Sequence, residues 1–130
     1  IYKLHPKETS GWREEYPWLT RADGVDVVSE QVPLYRLFAE SRIQVGVNST
    51  ALFEGLGFGL RTYLVKSAGV LQMKPLWKRG CAKLVENAEH LGTKIVEQQG
   101  HTDAHMEDFF VSGSKERTKA TTDALLGLDR

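Results

Sequence analysis

Two short polar runs in this chain hold residue types able to handle a charged ligand: Leu4-His5-Pro6-Lys7-Glu8, and Val47-Asn48-Ser49-Thr50 with Glu54 close behind. His5 can donate to a phosphoryl oxygen, and Pro6 fixes the turn that follows. Lys3 and Lys7 lie within reach of the same rim, where a solvated surface role is the simpler alternative. Asn48, Ser49 and Thr50 are helix-capping types set before a periodic apolar run, which places unpaired backbone N–H groups and a positive dipole end beside two hydroxyls. Such a combination is an anion site, with phosphate the foremost anion. The dipole contributes ~0.3–1 kcal/mol and each hydrogen bond to a charged oxygen about 1.5–3 kcal/mol, so a few together support micromolar binding.

Plain helix capping is the alternative for Ser49 or Thr50, and Glu54 bears on the choice. A capping box puts its acid three residues after the cap. Glu54 stands four after Thr50 and five after Ser49. The four-residue spacing sets it on the helix face of Thr50, one turn in from the expected phosphate. There a carboxylate can accept hydrogen bonds from a ribose diol. A phosphate end followed by a sugar end describes a nucleotide.

The elements that must position these residues follow from periodicity. Apolar, β-rich runs occur at residues 1–4, 25–28, 43–47, 62–65 and, more weakly, 82–85. The segments between them have helical spacing or turn punctuation, which predicts an α/β fold: a Rossmann-like open parallel sheet with helices on both faces. Pro33 opens a helix with Leu34, Leu37, Phe38 and Ser41 on one stripe. Leu52, Phe53 and Leu56 form the apolar face of a short helix that ends near Gly59. Asn87 caps a helix bearing Leu91, Ile95 and Val96; residues 98–108 read as a loop, and residues 120–128 as part of a last helix. In open parallel sheets ligands bind outside the carboxyl ends of the strands. Both polar runs land there.

Composition narrows the function classes. The 130 residues carry 17 Lys+Arg against 17 Asp+Glu, with no basic footprint for nucleic acid. A single cysteine allows no internal disulfide, and no stretch approaches the ~18 apolar residues of a membrane span. The length reads as one domain, 1–130, with a C-terminal tail or helix over 113–130. Because Ile1 opens in what reads as a strand already under way, the expectation is a fragment of a larger protein. Weaker candidates remain. His101 and His105 have the spacing of a helical metal pair, with Asp103 and Glu107 nearby but no fixed third ligand, so no metal is assigned. Gly55-Leu56-Gly57-Phe58-Gly59 imitates a dinucleotide fingerprint but falls after the cap, where helix termination and close packing explain it better. Trp12, Tyr16 and Trp18 are core packing or a cleft wall, and Cys81 reads as inert.

His5-Pro6 and the run from Gly46 to Gly55 together give a family resemblance. The chain resembles the carboxy-terminal, nucleotide-sugar-binding domain of GT-B glycosyltransferases. The likeness is strongest to bacterial enzymes of capsule and surface polysaccharide synthesis, of the polysialyltransferase, Kdo-transferase and glycerophosphotransferase types. The shared pattern is a Lys-x-His-Pro turn (Lys3 to Pro6), a Ser-Thr pair after a later strand, a helix carrying Glu, and a strand like Arg61-Thr62-Tyr63-Leu64-Val65. It spans about residues 1–95. The resemblance implies that His5 faces the donor phosphate and helps the nucleotide leave, that Ser49 and Thr50 bind the phosphate, and that Glu54 lies near the nucleoside; Lys3 and Asn48 are the further candidates for nucleotide or phosphate binding beside them. It implies a nucleotide sugar, CMP- or CDP-linked, as substrate, with no separate cofactor. The other expected partners are a glycan acceptor and an amino-terminal domain of the same enzyme, without which this chain does not catalyse transfer. The expected location is cytoplasmic, with the parent enzyme peripheral at the inner membrane. Two alternatives stay open: half of a nucleotide-sugar 2-epimerase, whose usual Ser-Gly-Gly is here Ser49-Thr50-Ala51, and a non-catalytic α/β binding module.

Overall fold

The computed structural model describes residues 1–97 together with Phe109, Gly113 and Glu116. It is an α/β structure of parallel strands in open sheets flanked by helices. The chain groups into two compact units, Ile1–Ser41 and the remainder from Arg42.

In the first unit, β1 (Tyr2–Lys3) pairs in parallel with β2 (Val27–Val28), and backbone bonds from Tyr2 N to Asp26 O and from Leu4 N to Val28 O extend the ladder. The two strands are shorter than the apolar runs that announced them: Ile1 and Val25 lie outside the pairing and are exposed. Between them run a 3-10 turn at Pro6–Glu8, the short helix α1 (Trp12–Glu15) and a second 3-10 turn at Leu19–Arg21. Tyr16 and Trp18 pack their rings on Tyr2, with centroids 6.5 and 6.3 Å away. Helix α2 (Leu34–Glu40) starts after Pro33 as its spacing predicts, and Leu37 and Phe38 are its buried residues.

The second unit is a three-stranded parallel sheet in the order β3 (Ile43–Gly46), β4 (Arg61–Val65), β5 (Ala82–Val85). The central strand is covered on both faces, so Thr62, Tyr63 and Leu64 are each at most 1% exposed. This is the continuous burial expected of an inner parallel strand. Helix α3 (Ala51–Gly57) connects β3 to β4. A 3-10 turn at Val70–Met73 and helix α4 (Lys74–Lys78) connect β4 to β5. Leu52, Leu56, Leu64, Val70, Met73, Leu76, Cys81 and Ala82 form one core.

Both helices stop in the same way. Leu60 N donates to Gly55 O and Gly59 N to Leu56 O; one connection later, Cys81 N donates to Leu76 O and Gly80 N to Trp77 O. These are paired Schellman motifs, with Gly59 (φ +77°) and Gly80 (φ +74°) in the left-handed conformation that turns each helix into the next strand. Helix α5 (Ala88–Glu97) follows β5, with its first turn capped by Asn87 Oδ1 accepting from His90 N. Leu91 and Ile95 are half-buried, whereas Val96, expected on the same face, is 71% exposed. The expected loop at 98–108, with its histidine pair, and the expected final helix lie outside the described residues. Among the described residues, no helix is long and apolar enough to cross a membrane.

Candidate functional site

The sequence-predicted residues fall in two groups, each at the carboxyl ends of parallel strands in its own unit. Lys3 and His5 belong to the first unit; Asn48, Ser49, Thr50 and Glu54 belong to the second.

His5 caps the Pro6–Glu8 turn. Its Nδ1 accepts from Lys7 N at 3.2 Å while its own backbone N–H donates to Glu8 Oε2 at 2.8 Å, a reciprocal capping box in which an imidazole replaces the usual hydroxyl. This bond fixes the tautomer. A neutral His5 that accepts at Nδ1 carries its proton on Nε2, the free edge of an exposed ring. Glu8 is held in turn by Tyr16, whose hydroxyl donates to Oε1 at 3.0 Å. That hydrogen bond pushes the Tyr16 pKa up to about 12. Lys3 has a structural attachment as well: its ammonium donates to Ser29 O at 2.8 Å and ties β1 to the end of β2.

In the second unit, Asn48, Ser49 and Thr50 are all exposed in the turn between β3 and α3. Much of the local amide set is already used. Ala51 N donates to Ser49 Oγ at 3.3 Å, Leu52 N to Ser49 O at 3.1 Å, and Phe53 N and Glu54 N to Thr50 O at 3.0 and 3.4 Å. Thr50 occupies the cap position, but its side chain makes no capping bond. Among the described residues, the N–H groups of Ser49 and Thr50 and the Thr50 hydroxyl are without partners. Ser49 keeps its hydroxyl proton available while its oxygen accepts. Glu54 is half-buried one turn further along α3, and its carboxylate makes no hydrogen bond or ion pair with the described residues. Donors for an anion and an acceptor for hydroxyls thus lie in succession along one short segment.

Gln44 explains how that segment is held. Its Nε2 donates to Leu52 O at 2.8 Å and to Thr62 Oγ1 at 2.7 Å, pinning α3 to β3 and β4. Gly55 makes room for it, since a Cβ at that position would meet the Gln44 carboxamide. The glycine run therefore serves close packing at Gly55 and helix termination at Gly59.

The sequence reading missed Lys66 and Ser67, which leave the central strand beside this turn. A Cβ on Gly69 would approach the Asn48 side-chain amide to 3.0 Å, so the loop after β4 touches the loop after β3. Lys66 Nζ pairs with Glu86 Oε2 at 2.8 Å, with both side chains largely exposed. The strand-end rule that singled out Asn48 applies equally to Lys66 and could have found it. Among the described residues, no cluster of His, Cys, Asp and Glu could hold a metal ion.

These features define an α/β protein with polar strand-end loops. No family model, no curated protein and no solved structure matches the chain.

Proposed function

We propose that this chain is the donor-binding half of a GT-B-type glycosyltransferase that builds a bacterial surface polysaccharide, and that it binds a CMP- or CDP-linked sugar. In this reading Ser49 and Thr50 bind phosphate oxygens, Asn48 lines the same turn, and Glu54 accepts from the ribose hydroxyls. In the first unit, taken by itself, His5 has an Nε2 proton that it can donate to a phosphoryl oxygen, and Lys3 stands two residues before it. The acceptor and the general base come from a second domain of the same enzyme, so the chain alone binds donor without transferring sugar. The working location is the cytoplasm, with the parent enzyme peripheral at the inner membrane.

Glu54 is the observation that carries this reading. A half-buried carboxylate without a partner costs stability unless a ligand or water satisfies it, and this one stands one turn from an exposed donor cluster. The engaged amides of Ala51 to Glu54 favour a second reading, a binding module whose Ser49 is only a cap.

Thermal denaturation with CMP, CDP, UDP and inorganic phosphate separates the two. A ligand at 100 times its Kd adds about 2.7 kcal/mol when it binds only the folded state. The donor-binding reading expects a cytidine nucleotide to raise the midpoint well above phosphate; the module reading expects equal responses to all four.

A further inference from the structure

The first unit carries a groove that the nucleotide reading does not use. It has a volume of about 310 Å³ and opens at the carboxyl ends of β1 and β2, where Leu4 and the valines of β2 form its floor. Trp12 forms a wall, and Thr9, Ser29 and Gln31 contribute polar groups. Arg13 completes the lining, with its guanidinium carbon 4.6 Å from the Trp12 ring centroid. Two features give the groove a chemical character. Among the described residues, no acidic residue lines it and Arg13 makes no ion pair, although Glu14 and Glu15 follow it in sequence. Next to it, the Lys3 ammonium is fixed on Ser29 O, so a second positive charge sits beside the lining.

We infer that this groove binds a compact hydroxylated organic anion, a sugar acid or sugar phosphate. Its anionic group would pair with Arg13, its C–H face would lie along Trp12 and the aliphatic floor, and its hydroxyls would meet Thr9, Ser29 and Gln31. The volume suits one monosaccharide-sized ligand, at the small end of organic-ligand pockets. Arg13 suits either anion, because a planar guanidinium pairs bidentately with carboxylate and with phosphate. Stacking on Trp12 restricts the guanidinium before a ligand arrives, which lowers the ordering cost of binding.

The inference does not depend on nucleotide binding, and its test is separate. The full chain, labelled with nitrogen-15, is titrated to about 20 mM with glucuronate, glucose 1-phosphate and neutral glucose, a range that covers millimolar affinity. The Trp12 indole signal is assigned by Trp12→Phe. The expected result is saturable shifts of the Trp12 indole and the Arg13 and Ser29 amides with one or both anions and none with glucose. Arg13→Gln should weaken the responding anion about tenfold or more, the range of a charge-assisted hydrogen bond. A response to glucuronate alone assigns a sugar acid, and one to glucose 1-phosphate alone assigns a sugar phosphate. No shift with either anion, equal shifts with glucose, or unchanged affinity in Arg13→Gln would overturn the inference, whatever cytidine nucleotides do at Ser49 and Thr50.

Discussion

Replacing Gly55 with alanine tests how the sheet holds the candidate loop. In an ordinary helix this change stabilises by about 1 kcal/mol. Here the new Cβ would occupy the position of the Gln44 carboxamide. Displacing that group breaks its bonds to Leu52 O (2.8 Å) and Thr62 Oγ1 (2.7 Å), at about 1 kcal/mol each. Thr62 is 1% exposed, so water does not replace the lost donor, although the Thr62 hydroxyl keeps its own bond to Leu60 O. Repacking around the extra methyl adds about 1–3 kcal/mol. After the helix-propensity gain is subtracted, the expected result is a net loss of about 2–4 kcal/mol, read from urea-denaturation midpoints at constant slope. Gly92→Ala in α5 is the control, because nothing lies within 4 Å of its Cβ position, and it should stabilise by about 0.5–1 kcal/mol. In a Gln44→Ala background the alanine at position 55 fits, and the same Gly55→Ala step becomes neutral or stabilising, a coupling that a double-mutant cycle measures. A Gly55→Ala protein as stable as wild type, or a loss that persists without Gln44, would refute the packing argument.

Two further outcomes follow from local chemistry. The Tyr16 hydroxyl donates to Glu8, which lifts its pKa from the ordinary value of 10.0 to about 12 in the folded protein. A folded-state pKa above the unfolded one stabilises fully below pH 10 and loses that contribution as pH rises toward 12. Ultraviolet titration should therefore show a late phenolate that moves down in Glu8→Gln and disappears in Tyr16→Phe; no late phenolate, or one unaffected by Glu8→Gln, would contradict the assignment. The Cys81 thiol, 0% exposed in the core, should resist an aromatic disulfide reagent in the native protein and react fully in denaturant. Rapid labelling of native protein would show that this part of the core opens readily.

The strands were legible where burial was complete. The run at residues 62–65 is β-rich and mainly apolar, with the Thr62 hydroxyl bonded internally, because β4 is covered on both faces, and β5 matches its predicted limits. At β1 and β2 the apolar runs overstate the strands, because only two residue pairs are in register and their outer members face solvent. The helix stops could be read from Gly59, since a left-handed turn favours glycine. The role of Gly55 could not, because the vacancy it leaves is filled by a polar side chain, Gln44 of the preceding strand, whose reach across to α3 no local pattern announces. His5 shows the same limit at the site. Its residue type and strand-end position suggested a ligand contact, but the bond that sets its tautomer comes from the Lys7 amide, and the Glu8 arm of the box from a spacing normally read with Ser or Thr at the cap. Lys66 was not legible for a different reason: a single lysine just past the end of β4 is, by residue type alone, an ordinary solvated surface residue.

The most direct test of the nucleotide reading is calorimetric titration of CMP into the wild-type chain, Thr50→Val and Glu54→Gln, with inorganic phosphate as reference. The account predicts that CMP binds the wild type at least about tenfold more tightly than phosphate, the contribution of one charge-assisted hydrogen bond. Thr50→Val should weaken both ligands, whereas Glu54→Gln should weaken CMP and leave phosphate unchanged. CMP no tighter than phosphate, or CMP affinity unaltered in both variants, would contradict it.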